Sequence, residues 1–326
     1  MPTIYDVAKR ARVSTYTVST VLNRTAAVSP ELTKRVLEAV RELDYTINEL
    51  ARGLQMRRTR TIGMLIPDIA NPFYAKVVRG VEDVLRGATY SLLLGSTYND
   101  PVEQSRYVGV FRSRQVDGLL LFVAPGESPE VQALARERKP LVFVGRLPIH
   151  FDADSVSADN TLGAELAVAH LASKGHRRIG LVNGQTGLSS SAERVAGWKR
   201  ALKRVGGSTA ARYVIHCDWT ASCGHDAALK LADLPQPPTA VFTANFLMMT
   251  GVLKALKERG LSCPEDVEVM SSDDSEWLDV FEPRISTVAQ PSYEMGTEAA
   301  QLVLKRIASP DRPFKRVVLQ PRLMLR

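Results

Sequence analysis

Cysteine is scarce: the 326-residue chain has three, Cys217, Cys223 and Cys263. They cannot all pair with one another and their spacing fits no zinc site. A disulfide framework and a structural zinc are therefore excluded, and the thiols are expected to be reduced, in the cytoplasm. No apolar run approaches the roughly 18 residues of a membrane span. Met1-Pro2-Thr3-Ile4 leads straight into a helical pattern, without the charged segment, apolar stretch and cleavage site of a secretory leader. Low-complexity segments and short repeats are missing too. No G-x-G-x-x-G follows a strand pattern and no G-x-x-x-x-G-K-[ST] occurs, so dinucleotide and P-loop chemistry lack their phosphate cradle. Ser189-Ser190-Ser191 has no G-x-S-x-G surroundings and reads as a polar helix start. His170 and His176 flank a helix end, where a charge or turn role fits better than metal ligation. Asp273 and Asp274 are adjacent at a strand end and point to different sides, which argues against a shared acid–base or metal role. The expectation is no enzyme, no cofactor and no metal.

Positive charge is present, and it is localised. Residues 1–60 hold 11 Lys and Arg against 6 Asp and Glu, a net +5, whereas the other 266 residues carry only the remaining +2 of the total +7. A basic excess confined to one end suits a phosphate-binding module and not a general polyanion binder.

That end reads as helices. Thr3 and Asp6 have capping-box spacing, and Ile4, Val7, Ala8 and Ala11 fall on one apolar face. Ser14 can cap a second helix whose inner face is Val18, Val21 and Leu22. Its other face begins with Thr15, Tyr16, Ser19 and Thr20. Hydroxyls clustered at a helix N-terminus suit a major groove, where base edges are read. A capped helical hairpin in an ordinary core is the alternative for this stretch taken alone. Ser29-Pro30 starts a third helix, buried through Leu32, Val36, Ala39, Val40 and Leu43. Asn48 can cap a helix from Glu49 to Gln55 or Met56. Eight residues with Gly53 among them make a marginal helix in water, and a basic linker follows.

From Thr61 the pattern becomes short apolar strands alternating with helices. TIGMLI, SLLLG, GLLLFV and PLVFVG read as buried parallel strands, with helices near 73–87, 102–114 and 128–138. The alternation restarts with RIGLVN, RYVIHC, TAVFTA and VEVMSS, and with helices near 160–174, 192–205, 221–232 and 245–259. This predicts two doubly wound α/β subdomains in series, with ligands in the cleft beyond the carboxyl ends of the strands.

The residues DVA (6–8), VS (13–14), TVS (17–19), VLN (21–23), VSPE (28–31) and the run Tyr45–Leu54 resemble the headpiece of the lactose-repressor (LacI/GalR) family of bacterial transcription regulators. The resemblance continues through PDIANPF (67–73), VDG (116–118), GHRRIG (175–180), ERVAGW (193–198), PTAVFTAN (238–245) and TVAQP (287–291), and so spans the chain. It implies a headpiece at 1–46, a hinge helix and linker at 47–60, and a periplasmic-binding-protein-like core at 61–326. Within that core the first subdomain would hold about 61–159 and 291–312. The second would hold about 160–288 and 314–326, with the helix at 292–308 and the strand RVVLQ crossing between lobes. In the family the hinge helix forms when two subunits dock on an operator, and Leu54 takes the place of the leucine that wedges into the minor groove. The expected DNA-facing set is Ile4, Tyr5, Ser14, Thr15, Tyr16, Thr17, Ser19, Thr20, Asn23, Ser29 and Leu54. Thr15, Tyr16 and Thr20 would face bases, with Ser14, Thr17, Ser19, Asn23 and Ser29 on phosphates.

For the cleft, strand ends and crossovers offer Asn71, Phe73, Tyr74, Arg146, Arg194, Trp219, Asn245, Asp273 and Gln290. Guanidinium forks, amides and a carboxylate satisfy ring hydroxyls, and aromatic rings cover the apolar faces of a sugar. By resemblance these positions match ligand residues of sugar-responsive members. Some positions depart from the family pattern. Gly145 stands where Asp often precedes the arginine, Phe246 where Asp is usual, and Ser271-Ser272 where Gly with an aromatic residue is usual. In the headpiece, Arg12, Thr20 and Ile47 are also atypical.

The expectation is a cytoplasmic, homodimeric, operator-binding regulator, a repressor whose affinity for a pseudo-palindromic DNA site is set by a small polar effector, a sugar or sugar derivative. No heptad tail for tetramerisation follows the last strand. A transport-system binding protein would need a leader and no basic headpiece. An enzyme would need a cofactor fingerprint or a nucleophile–base pair. A regulator with a vestigial pocket, signalling through a protein partner, is compatible with the altered cleft positions.

Overall fold

Thr3 opens the first helix as its spacing predicts: its N–H donates to Asp6 Oδ2 at 2.7 Å, and Asp6 N–H returns to Thr3 Oγ1 at 3.4 Å. The computed structural model describes residues 2–23, 26–45, 58–126, 129–137, 139–147 and 152–326, with only the backbone for Asn23 and Ala135. The expected hinge helix and Leu54 lie outside the described residues. The chain divides between Thr59 and Arg60 into two compact units.

The first unit is helical: α1 (Ile4–Ala11), α2 (Thr15–Asn23) and α3 (Pro30–Glu42). Arg12 ends α1 in the left-handed conformation (φ 53°), a place Gly or Asn fills more easily. Ser14 and Ser29 accept from Thr17 N–H and Leu32 N–H and so cap α2 and α3. Val7, Ala8, Ala11, Val18, Val36 and Ala39 form the core. Arg35 reaches from α3 to the carbonyls of Ala11 and Arg12, satisfying the bare end of α1.

The second unit contains two six-stranded sheets. The first has β1 (Thr61–Ile66), β2 (Ser91–Ser96), β3 (Gly118–Leu121), β4 (Leu141–Val144), β5 (Asp154–Ala158) and β11 (Arg316–Leu319), in the order β11-β5-β4-β3-β1-β2. Its helices are α4 (Pro72–Gly87), α5 (Pro101–Ser113) and α6 (Pro129–Arg136), joined by α11 (Ser292–Ala308). Alternate strand residues split between two cores. Ile62, Met64, Leu120 and Val142 pack with α4 and α11, while Leu65, Leu121 and Phe143 pack with Val108, Phe111 and Leu134. Gly80 and Gly296 let α4 and α11 touch: a Cβ on either would fall 2.0–2.2 Å from a carbonyl oxygen of the other helix.

The second sheet has β6 (Ile179–Asn183), β7 (Val214–His216), β8 (Ala240–Thr243), β9 (Glu268–Ser271), β10 (Thr287–Ala289) and β12 (Arg322–Met324), in the order β12-β10-β9-β8-β6-β7. Its helices are α7 (Asn160–Ser173), α8 (Ser189–Arg204), α9 (Ala221–Ala232) and α10 (Phe246–Glu258). Every pairing in the two sheets is parallel except β10 with β12. Among the described residues no helix is long and apolar enough to cross a membrane, and no group of three or more His, Cys, Asp or Glu is placed to hold a metal.

The chain end differs from the expected assignment of 314–326 to the second subdomain. Arg316–Leu319 pairs in parallel with β5, on the edge of the first sheet, and only Arg322–Met324 joins the second. The anchor is Asp154, fully buried at the start of β5. It accepts from Arg306 Nε at 2.9 Å, from Arg312, and from Lys315 N–H at 2.8 Å. These contacts hold residues 312–315 beside β5 before the strand begins.

Candidate functional site

On the headpiece, the residues of the hydroxyl-rich face of α2 differ in how much they meet solvent. Tyr16 is 77% exposed and Tyr5 72%, more than any other large apolar-bodied residue among the described residues of the unit. Thr15, Thr17 and Ser19 are half-buried, and Ser14 and Ser29 are exposed. Ile4 is half-buried and packs against the core. Ser14 and Ser29 already cap helices, which orients bare backbone N–H groups and hydroxyls at two helix starts. Thr20 is a correction. Expected to face base edges, it is 5% exposed, and its hydroxyl donates to the Tyr16 carbonyl at 2.9 Å. A threonine inside a helix satisfies itself four residues back, and this one is covered when it does so. The side chain of Asn23 and the whole of Leu54 lie outside the described residues.

In the second unit, all nine sequence-predicted cleft residues line one cavity of about 40 Å³. Asn71 and Asn245 owe their positions to capping. Asn71 Oδ1 accepts from Phe73 N–H at 3.0 Å, and Asn245 Oδ1 accepts from Met248 N–H at 2.7 Å. Their amides are thereby fixed at the cleft-facing ends of α4 and α10, and Asn245 Nδ2 donates to the Trp219 carbonyl at 3.0 Å. Phe73 and Tyr74, in the first turn of α4, meet Phe122 edge to face, with Tyr74 and Phe122 centroids 5.0 Å apart.

Trp219 adopts a left-handed backbone (φ 75°), and its ring covers Gly184 so closely that a Cβ there would lie 1.8 Å from it. Arg146 and Arg194 stand 5.9 and 5.7 Å from that ring's centroid, within cation–π range. Burial pulls both guanidiniums below their ordinary pKa. Asp273 Oδ1 accepts from Gln290 Nε2 at 2.9 Å and Oδ2 from Phe246 N–H at 3.4 Å. Burial pushes its carboxyl up to about 6, with the field of Arg194 opposing. Tyr74 is likewise raised by burial, to about 12, and stays a neutral phenol.

Sequence reasoning missed Phe122, Asn160, Ser190 and Ala244, which also line the cavity. Phe122, in the run GLLLFV, directly follows the end of β3, the position class from which the other residues were chosen. Asn160 had no signal beyond its helix start. Gly145 now has a physical account. It is left-handed (φ 75°), and the Phe122 ring lies 2.5 Å from where its Cβ would be, so an aromatic wall occupies the space a carboxylate would need. Asp274 does point away from its neighbour, to Thr287 at 2.6 Å and Arg326 at 2.8 Å.

A basic helical unit that presents Tyr16 to solvent, followed by two doubly wound lobes around a polar cleft, has the make-up of a DNA-binding regulator with a ligand cleft. Residues 3–48 match the profile of bacterial regulatory proteins, lacI family, and residues 168–326 match the periplasmic binding protein-like domain. The chain is 37% identical over 327 residues to the ribose operon repressor of Escherichia coli strain K12, covering all of this chain and 99% of that protein. It is similar to the transcriptional regulator CelR–cellobiose complex, with 33% identity, a TM-score of 0.76, and coverage of 100% of this chain and 99% of the other. To the lac repressor dimer bound to operator and the anti-inducer ONPF it is 25% identical, with a TM-score of 0.86 over 99% and 97% of the two chains. The chain belongs to the lacI family of bacterial regulatory proteins, and it is a DNA-binding transcription regulator.

Proposed function

We propose that this regulator is a cytoplasmic repressor, without enzymatic activity, that binds a pseudo-palindromic operator as a homodimer and takes a sugar or sugar derivative in the cleft as its effector. One observation carries the reading. Arg146, Arg194, Asn71, Asn245, Asp273 and Gln290, drawn from both lobes and a crossover, converge on one cavity walled by Phe73, Tyr74, Phe122 and Trp219. Donors, amides and a carboxylate on opposite lobes let a bound polyol tie the lobes together. The name of the ribose operon repressor points in the same direction. On the headpiece, Thr15 and Tyr16 read base edges, with Tyr5 and Ile4 beside them. Ser14, Thr17, Ser19 and Ser29 hold phosphates through hydroxyls and helix starts. Ligand-dependent closure of the cleft then decides whether two headpieces fit one operator.

The cavity of about 40 Å³ is far below the 300 Å³ or more of a usual ligand pocket. A sugar ring therefore enters a wider cleft than this one, and the lobes must move. The test is a thermal-shift screen against sugars and their derivatives, followed by gel shifts with and without the hit. A ligand at 100 times its Kd adds about 2.7 kcal/mol of stability. Arg194→Ala and Asp273→Ala should each lose the response, by about 1.5–3 kcal/mol of affinity. Wild-type affinity in both variants places the effector elsewhere.

A further inference from the structure

The cleft is unevenly charged. Two guanidiniums line it, and among the described lining residues the single carboxylate is Asp273. That acid, and Glu193 behind it on Asn160, act on Arg194. Arg146 has no such counterpart among the described residues: the titratable groups that act on it are Tyr74, a neutral phenol, and Arg194, which repels it. It is 4% exposed and donates to Asn99 Oδ1, while its Nε is buried without an acceptor among the described residues. The comparison within the molecule is Arg306, equally buried, which sits on the Asp154 carboxylate at 2.9 Å. Where this fold buries an arginine for structure, it supplies an acid. At Arg146 it supplies an amide, an aromatic ring and a spare N–H. Trp219 Nε1, on the ring that both guanidiniums approach, is a second buried donor without an acceptor among the described residues.

Buried cations are stable when a counter-charge meets them, and a planar guanidinium matches a carboxylate or phosphate in two parallel hydrogen bonds. We infer that the effector of this cleft is an anionic sugar, a carboxylate or phosphate carried on a hydroxylated carbon frame. Arg146, with Trp219 Nε1 beside it, would hold the anion, while Arg194, Asp273 and Gln290 would hold the hydroxyls. The inference rests on the cleft being the effector site. Gly145 fits it: the position before Arg146 carries no acid that would compete for the guanidinium, and Phe122 fills the space.

The experiment is calorimetry on the full chain at pH 7.5 with matched sets of a neutral aldose, its aldonic acid and its phosphate ester, on pentose and hexose frames. One anionic arm is expected to bind at least about tenfold more tightly than its neutral parent, and the arm that does so separates carboxylate from phosphate. Arg146→Gln should bring the ratio of anion to neutral affinity close to one, and Arg146→Lys should retain part of it, with melting curves confirming that both variants fold. Neutral aldoses binding as tightly as both anions overturns the inference and leaves the cleft reading standing. A preference that survives Arg146→Gln overturns it as well. Failure of every arm, neutral and anionic, overturns both.

Discussion

Asp273→Asn makes the regulator more stable and less responsive. The folded carboxyl sits at about 6 against an ordinary 3.8, so the native state disfavours its charged form. Because the folded value lies above the unfolded one, the penalty is absent below about pH 3.8, grows between 3.8 and 6, and is complete above 6. At about 1.36 kcal/mol per pH unit the gap of roughly two is worth about 3 kcal/mol at pH 7.5. Asparagine keeps the shape and removes the charge. Its amide cannot accept from both Phe246 N–H and Gln290 Nε2, so Gln290 must turn over, and one strained hydrogen bond subtracts about 1 kcal/mol. The net gain is about 2 kcal/mol, a rise in Tm of about 4 °C for a unit of this size. At pH 5 the penalty is about half as large, and the gain shrinks with it. Scanning calorimetry of the ligand-free chain at pH 7.5 and pH 5 measures both values, and titration with the effector should show the binding lost. A variant that melts below wild type at pH 7.5 refutes the reasoning, because the attraction between Asp273 and Arg194 would then outweigh burial.

Two further outcomes follow from exposure and from buried charge. Tyr16→Ala should leave headpiece stability within about 0.5 kcal/mol, since its ring is in solvent, yet change preference at one or two base pairs by about 1–3 kcal/mol. Competition gel shifts over base-substituted operators read this, and equal weakening on all of them removes Tyr16 from base reading. Asp154→Ala strands the guanidiniums of Arg306 and Arg312 and the Lys315 N–H, and should cost about 3–5 kcal/mol. Urea unfolding checks it, and a loss under about 1 kcal/mol means the cluster contributes little.

Periodicity carried most of the fold. Capping residues placed α1 and α3, and the buried runs TIGMLI, GLLLFV and TAVFTA became strands of the first and second sheets. The strands that went unread, Asp154–Ala158, Thr287–Ala289 and Arg322–Met324, are short and mixed in polarity. Backbone pairing, and in the first case the Asp154 charge cluster, make them strands, and neither leaves a hydrophobic period. The cleft set was legible because doubly wound sheets put ligands at strand ends, and polar residues at those ends are few. Phe122 escaped because an aromatic residue ending an apolar strand looks like core until Gly145 shows that it fills a missing side chain's place. Thr20 was misread for a related reason. Hydroxyls on a helix face look alike in sequence, and only packing separates one that faces water from one turned back on its own helix.

The chain passes between the lobes three times, at residues 158–160, 289–292 and 319–322, and the three passages lie against one another. Asp159 N–H donates to the Leu319 carbonyl at 2.9 Å, and the open face of Gly163 looks onto Val288 and Pro321 at 3.4–3.5 Å. Two plates joined by three adjacent straps behave as a door. They turn about the line of the straps, and shear and twist are resisted. Two of the straps, 158–160 and 319–322, leave from the β11–β5 border of the first sheet, and β2 is the far border, five strand spacings or about 24 Å from β11. A swing of about 10° would carry that far border about 4 Å, while the straps hardly shift. Asn160 and Gln290, which touch the cleft, sit on the straps themselves. A ligand pressing there acts close to the pivot, where a small displacement becomes a large one at the free edge.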